Sequence, residues 1–294
     1  MARAAAYIRT RQSPSGGFCF YRYGGIDEPN LGDTYYAVAG LRLFGIEVPN
    51  ARKTADFVSQ ARIFGLTYLY FCSFTLDHLG LASKISEETL AAIRNLPVAV
   101  PEGAASVDSS GWLESVRKTI RLQQRFTPLT FGSSTRQGKH AQTPGPVASE
   151  APPESFHPHV SEFVAGLMKR GGFGVRSNLW DACLALGIGA LLGLRPPEDM
   201  AAFIDSLQQP PIGFLMTPRS AVASLDVAYA GARCAQILGL AVRYHEELID
   251  FTLSCQSTNG GFAHAPMALA NLEFTYRGLR TLAILVPEST QRAT

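Results

Sequence analysis

Apolar residues recur along this chain at helical spacing, and the segments that carry them come in two alternating kinds. One kind is amphipathic, with charge on one side: AAAYIRTR from Ala4, ARKTADFVSQARIF from Ala51, SEETLAAIRNL from Ser86 and EELIDFTLSC from Glu246. The other is apolar nearly all round: TYYAVAGLRLFG from Thr34, GIGALLG from Gly187, AGARCAQILG from Ala230 and TYRGLRTLAILV from Thr275. A one-sided apolar stripe predicts a helix with a wet face, and an all-round apolar segment predicts one enclosed by others. The alternation therefore predicts outer helices covering inner ones. Pro49 before Ala51 and Ser86 before Glu87 supply starts for two of the outer helices.

The connections between the two kinds repeat. QSPSGGF at Gln12 to Phe18 returns as QSTNGGF at Gln256 to Phe262, with Gln, Ser, Gly, Gly and Phe in identical register. Each copy follows an amphipathic helix and precedes an apolar one, so the unit is helix, glycine-rich turn, helix. Weaker copies fit the same plan around Gly171 to Gly193 and Pro211 to Gly239, and helices near Tyr68 to Leu81 and Leu113 to Gln124 complete six pairs. The first and last apolar helices begin at Thr34 and Thr275, about 48 residues per step over five steps, within the 20–50 residues usual for repeat units. The expected architecture is all-α, one (α/α)6 toroid of repeated helix pairs over residues 1–294. Glycine inside the inner helices costs about 1 kcal/mol against alanine, a cost expected where helices approach closely. TPGPVASEAPPESFHP, Thr143 to Pro158, holds five prolines and no helical period and reads as a loop or linker. Residues 113–160 are the least repeat-like part of the chain.

Composition narrows the function. A formal net charge of +2 leaves no cationic excess for a phosphate backbone, so nucleic acid is not an expected partner. No apolar run reaches the length of a membrane span, and MARAAAYIRTRQ lacks the features of a secretory signal; a cytoplasmic protein without a transmembrane segment is expected. The five cysteines are odd in number and widely spaced, which predicts buried reduced thiols.

CQSTNGGFAHAPMALANLEFTYRGLRTLAIL, from Cys255, resembles the last repeat of protein prenyltransferase β-subunits, and QSPSGGF with GDTYYAVAGLRLFG resembles another repeat of that family. Phenylalanine follows the glycine turn at 18, 173 and 262, where the related squalene cyclases favour tryptophan. The resemblance implies a terpenoid cyclase and prenyltransferase toroid whose aromatic central cavity holds an isoprenyl diphosphate. It also implies a zinc ion on Asp, Cys and His that activates a substrate thiol. SLDVAYAG places Asp226 at the family's Asp but Ala228 at its Cys, and the family's His falls on Phe274. Two of three ligands are thus replaced, and the pattern predicts no cofactor, with zinc the one that the resemblance leaves possible. Asp181 and Cys183 in LWDACLAL, with His264, are an alternative metal set. Against it stands the helix macrodipole, which favours acids in first turns by about 0.3–1 kcal/mol and accounts for Asp33, Asp181, Asp226 and Glu273 alike.

The expected activity is that of an isoprenoid-handling enzyme, a transferase or cyclase acting on a prenyl diphosphate or polyene in the cavity. A non-catalytic toroid that binds a lipid or a protein partner subunit is the alternative. Tyr35, Tyr36, Tyr68, Tyr70, Trp180, Tyr229, Phe274 and Tyr276 fall in the first turns of successive inner helices, where aromatic faces could stabilise a carbocation. Substrate contacts are expected from Tyr35, Tyr36, Trp180, Tyr229, Tyr276 and Arg277. Arg42, Arg280, Lys169 and Arg170 are further candidates for a diphosphate, although no predicted helix reads as carrying three basic residues on one face. No Asp-x-Asp-Asp acid motif is present, and VDSSGW offers only Asp108. Asp226 and Asp33 remain as candidate general acids, since burial would raise their pKa. The cavity is expected to be apolar at depth and several hundred Å3 in volume. Tyr35 or Tyr36, Trp180, Tyr229 and Tyr276 should converge on it with Asp33, Asp181 and Asp226, and Ala37, Ala39, Gly187, Gly189 and Ala230 should leave it space.

Overall fold

The computed structural model describes residues 1–23, 26–98, 109–127, 158–168, 178–220 and 222–286. Most of the predicted linker, together with Asp108, Lys169, Arg170 and the turn around Gly171, lies outside these. Within them run twelve α-helices. The outer helices are α1 (Ala2–Thr10), α3 (Ala51–Gln60), α5 (Glu87–Arg94), α7 (Pro158–Met168), α9 (Glu198–Ser206) and α11 (His245–Ser254). The inner helices are α2 (Leu31–Arg42), α4 (Gly65–His78), α6 (Ser109–Phe126), α8 (Leu179–Leu191), α10 (Leu225–Leu238) and α12 (Leu272–Leu285). Each inner helix packs on the inner helices before and after it, and α12 packs on α2, so the ring closes as the six-pair reading expected.

The inner helices all point the same way. Ser110 at the start of α6 donates to Asp181 at the start of α8, and Gln124 near the end of α6 donates to the Leu191 carbonyl at the end of α8. Tyr36 reaches Glu273 between the starts of α2 and α12. Four of these helices share one N-terminal device: Asn30, Asn178, Ser224 and Asn271 each accept a bond from the N–H three residues on. Such a cap is worth about 1 kcal/mol, and in each case it is followed by a buried leucine, at 31, 179, 225 and 272.

The repeated turn is built identically in its two full copies. Phe18 bridges to Gln12 and Asn30, and Phe262 bridges to Gln256 and Asn271. The Phe18 N–H donates to Thr34 Oγ1 at 2.9 Å and the Phe262 N–H to Thr275 Oγ1 at 3.0 Å. The first glycine of each pair is left-handed, φ +95° at Gly16 and +94° at Gly260, which a side chain resists. The second has no room for one, because a Cβ at Gly17 or Gly261 would lie 2.7 Å from the ring of Phe57 or Tyr7. The turn phenylalanine in turn explains two helix glycines: Phe262 lies on Gly278, and Phe214 lies on Gly231. Close helix approach was the expected reason, but the ring of the preceding turn takes the space.

All five cysteines are free and buried, as expected. No described helix is long and apolar enough to cross a membrane.

Candidate functional site

The ring encloses a cavity of about 380 Å3, within the range of small-molecule sites. Parallel inner helices in equivalent register put equivalent positions at one level. Counting from the four N-caps, the fifth residue is Tyr35, Cys183, Tyr229 and Tyr276, and all four line the cavity. The ninth is Ala39, Gly187, Arg233 and Arg280, of which the last three line it. This is the i, i+4 stripe of each helix turned inward.

The expected aromatics therefore converge. Tyr35 and Tyr36 on α2 meet Tyr276 on α12, with ring centroids 6.5 and 5.8 Å away, and Tyr35 stacks on Phe71 of α4 at 5.1 Å. Burial holds the Tyr35 hydroxyl well above its ordinary pKa and pushes that of Tyr229 up to about 12, so both stay neutral donors. Trp180 lines the cavity with one face covered by the Arg277 guanidinium, 4.9 Å from its ring. Tyr68 does not join them and is exposed. Of the small residues, Gly187 opens onto the cavity, whereas Ala37, Ala39, Gly189 and Ala230 are buried elsewhere.

The cavity is not apolar at depth, which corrects the expectation. Arg117, Lys118 and Arg121 enter it from α6, Arg233 from α10, and Arg277 and Arg280 from α12, against Glu114 as the one lining carboxylate among the described residues. Glu114 is taken by Lys118 at 3.0 Å, and Arg277 is paired with Glu273 and Asp226. Arg117, Arg121, Arg233 and Arg280 have no carboxylate partner among the described residues. The Arg117 Nε is buried without any hydrogen bond, and Arg121 bonds the Tyr70 hydroxyl and lies 4.8 Å over the Phe74 ring. Side chains on α6 thus do form a three-cation face, at 117, 118 and 121, contrary to the sequence reading. Arg42 is exposed and does not line this cavity.

The carboxylates expected in the cavity are not there. Asp33 accepts from the Phe20 N–H at 3.0 Å and from Asn30 at 2.7 Å, tying the turn to the first turn of α2. Asp181 is buried and accepts from Ser110. Asp226 is held by Arg277, with His264 at 3.8 Å. All three serve the N-terminal ends of inner helices, the role that the macrodipole reading gave them. Glu273 does the same, and burial raises its pKa while the Tyr36 hydroxyl bond opposes the rise.

The chain is matched by the family described as prenyltransferase alpha-alpha toroid domain over residues 1–64 and 60–294. It belongs to that family. Solved structures similar to it include two of the type II terpene cyclase MstE from Scytonema. One holds geranylgeranyl dihydroxybenzoate, its substrate, and shares 10% identity with a TM-score of 0.60 over 97% of this chain and 95% of that one. The other holds merosterolic acid A, its product, at 11% identity and a TM-score of 0.51, over 96% and 95% of the two chains. No curated protein matches the sequence.

The zinc ion that the prenyltransferase resemblance implies finds no ligand set among the described residues. The described residues hold no group of three His, Cys, Asp or Glu side chains placed for a metal. Ala228 is buried in the core, Phe274 packs its edge on His264, and Asp226 is spent on Arg277. The alternative set fails on direction, because Asp181 bonds Ser110 while Cys183 faces the cavity and Cys234. The Cys234 hydrogen bond, and then Arg117 and Arg233, hold the buried Cys183 thiol below its ordinary pKa.

Proposed function

We propose that this toroid takes an isoprenoid with an anionic head, a prenyl diphosphate or a prenylated carboxylate, into its central cavity and acts on it there. The observation that carries the reading is a set of guanidinium groups without a carboxylate partner among the described residues, Arg117 and Arg121 from α6, Arg233 from α10 and Arg280 from α12, sharing a cavity with the aromatic faces of Tyr35, Tyr276 and Phe71. The buried guanidinium groups of Arg117 and Arg121 call for an anion, because uncompensated buried charge is costly. An aromatic wall suits an allylic chain. Arg233 and Arg280 line the cavity one turn beyond Tyr229 and Tyr276, and the Arg233 guanidinium donates to Gln236.

The arrangement favours ionisation over protonation. If the head is a diphosphate, the carbon–oxygen bond breaks, the electron pair leaves with the diphosphate onto the arginines, and the allylic cation is left facing the tyrosine rings. Protonating an alkene would need a free acid, and the lining carboxylate Glu114 is ion-paired. Asp226 and Asp33, the acids expected from sequence, are engaged outside the cavity and are not assigned that step. The binding of a prenylated benzoate by MstE is a parallel for an anionic head on a prenyl chain in this fold.

The same shortage of free acid favours one second reading, a toroid that binds such an anion without turning it over. Titrating farnesyl and geranyl diphosphates, the matching alcohols and a prenylated benzoate, with products followed by mass spectrometry, separates the readings. Binding of the anions with product formation is expected. Binding without product leaves the second reading, and alcohols bound as tightly as the anions exclude both.

A further inference from the structure

Two of the five thiols meet. Cys183 on α8 and Cys234 on α10 belong to inner helices that pack side by side, and a hydrogen bond joins their side chains. The pair is asymmetric. Cys183 lines the cavity at the level of Tyr229 and Tyr276, whereas Cys234, the residue after cavity-lining Arg233, is fully buried. A small molecule in the cavity therefore reaches one sulfur directly and the other only through the first.

The surroundings of Cys183 favour its anion. Arg117 and Arg233 line the same cavity, neither has a carboxylate partner among the described residues, and the Arg117 Nε is buried without a hydrogen bond. The Arg117 side chain passes α8 one turn beyond Cys183, where a Cβ on Gly187 would lie 3.7 Å from its Cδ. The bond with Cys234, and after it the charges of Arg117 and Arg233, lower the Cys183 pKa. Burial, and then the neighbouring Cys183, hold the Cys234 thiol well above its ordinary value. The thiolate is the nucleophilic form of cysteine, so the sulfur that faces the cavity is also the more reactive of the two. The other thiols are placed differently: burial pushes Cys72 and Cys255 up to about 11, Cys19 bonds the Arg11 carbonyl, and none of the three lines the cavity.

We propose that Cys183 and Cys234 are an oxidisable pair, in which Cys183 reacts first with hydrogen peroxide that enters the cavity and Cys234 resolves the product into a disulfide bridging α8 and α10. In the first step the Cys183 thiolate attacks a peroxide oxygen, the S–O bond forms and the O–O bond breaks. Hydroxide leaves and is protonated to water, and the sulfur, having given two electrons to the peroxide, becomes a sulfenic acid. In the second step the Cys234 sulfur attacks the Cys183 sulfur, the S–O bond breaks, and the departing hydroxide takes the Cys234 proton to leave as water. Two thiols and one peroxide thus give one disulfide and two waters. Arginines beside the sulfur suit both steps, since each expels an oxygen anion. As a thiolate Cys183 supplies negative charge next to Arg117 and Arg233, and in the disulfide it supplies none. Neither step needs an isoprenoid in the cavity, so the pair and the anion reading above stand or fall separately.

The test adds hydrogen peroxide to the reduced, purified chain, alkylates the remaining thiols and maps peptides by mass spectrometry without reductant. Cys183 and Cys234 should be lost together as one linked peptide pair, at least about tenfold faster than Cys72 or Cys255 is oxidised. In Cys234→Ser the sulfenic acid has no resolving thiol, and dimedone should trap it at Cys183. In Cys183→Ser, Cys234 should stay reduced, with circular dichroism checking that each variant is folded. The wild-type arm stands without the variants: both thiols left reduced, or all five lost at one rate, overturns the proposal. Dimedone trapping at Cys183 in the wild type with no bridge removes the resolving role of Cys234 and overturns it too. Cys234 oxidised as fast in folded Cys183→Ser as in wild type contradicts the order of the two steps.

Discussion

Two glycines inside inner helices should respond to alanine with opposite signs. Gly231 on α10 faces the Phe214 ring, and an added Cβ would lie under 3.0 Å from three of its atoms; Phe214 is fully buried. Forcing a methyl into a filled core costs about 1–3 kcal/mol, and a clash with a rigid buried ring belongs at the upper end. The helix-propensity gain returns about 1 kcal/mol, so Gly231→Ala should destabilise by about 2 kcal/mol. Gly187 on α8 faces the cavity, and the nearest atom to its added Cβ is the Arg117 Cδ at 3.7 Å, an ordinary contact. Gly187→Ala should therefore keep the propensity gain and stabilise by about 0.5–1 kcal/mol. Thermal and urea unfolding measure both, with a fall of roughly 4–6 °C expected for the first and a small rise for the second. Pairing Gly231→Ala with Phe214→Leu should recover part of the loss, because the two positions are in contact. If Gly231→Ala is as stable as wild type, or if both glycines shift in the same direction, the packing of turn phenylalanines on helix glycines is refuted.

Thr34→Val and Thr275→Val each strip the acceptor from a buried N–H, that of Phe18 or Phe262, and each should cost about 1–3 kcal/mol; unequal losses in urea unfolding would break the equivalence of the two turns. Burial lowers the His78 pKa from 6.5 to about 4, so between these values the unfolded chain binds a proton that the folded chain does not. Stability should thus be full above about pH 6.5 and fall toward pH 4, by at most about 3 kcal/mol, and His78→Gln should flatten that dependence; a wild-type midpoint equal at pH 5 and pH 7 would contradict it. Asp226→Asn removes a carboxylate that pairs with Arg277 but does not itself line the cavity, so it should lower the thermal midpoint while leaving any turnover of a bound isoprenoid within about tenfold; a loss beyond about a thousandfold would restore Asp226 as the acid.

Much of the fold could be read in the sequence because the repeat is local. Gln, Gly, Gly and Phe each meet a demand of the turn itself, and the leucine after each N-cap belongs to the same few residues. The aromatic lining was legible for the same reason, since Tyr35, Tyr229 and Tyr276 hold one register position. The cationic lining was not. Glu114, Arg117, Lys118 and Arg121 follow the spacing of a solvated stripe, and only closure of the ring turns that stripe inward. The acids misled in the opposite way: Asp33, Asp181 and Asp226 occupy first turns, where an acid serves the helix end, and sequence alone does not show that Ser110 and Arg277 reach two of them.

The most direct measurement is the affinity of farnesyl diphosphate for Arg117→Met and Arg280→Met against farnesol as a control ligand. If the unpaired arginines form the anion site, each substitution should weaken diphosphate binding by about 1.5–3 kcal/mol, roughly ten- to a hundredfold, and leave farnesol binding unchanged. Diphosphate affinity untouched by both substitutions, or lost in equal measure with that of farnesol, would contradict the assignment.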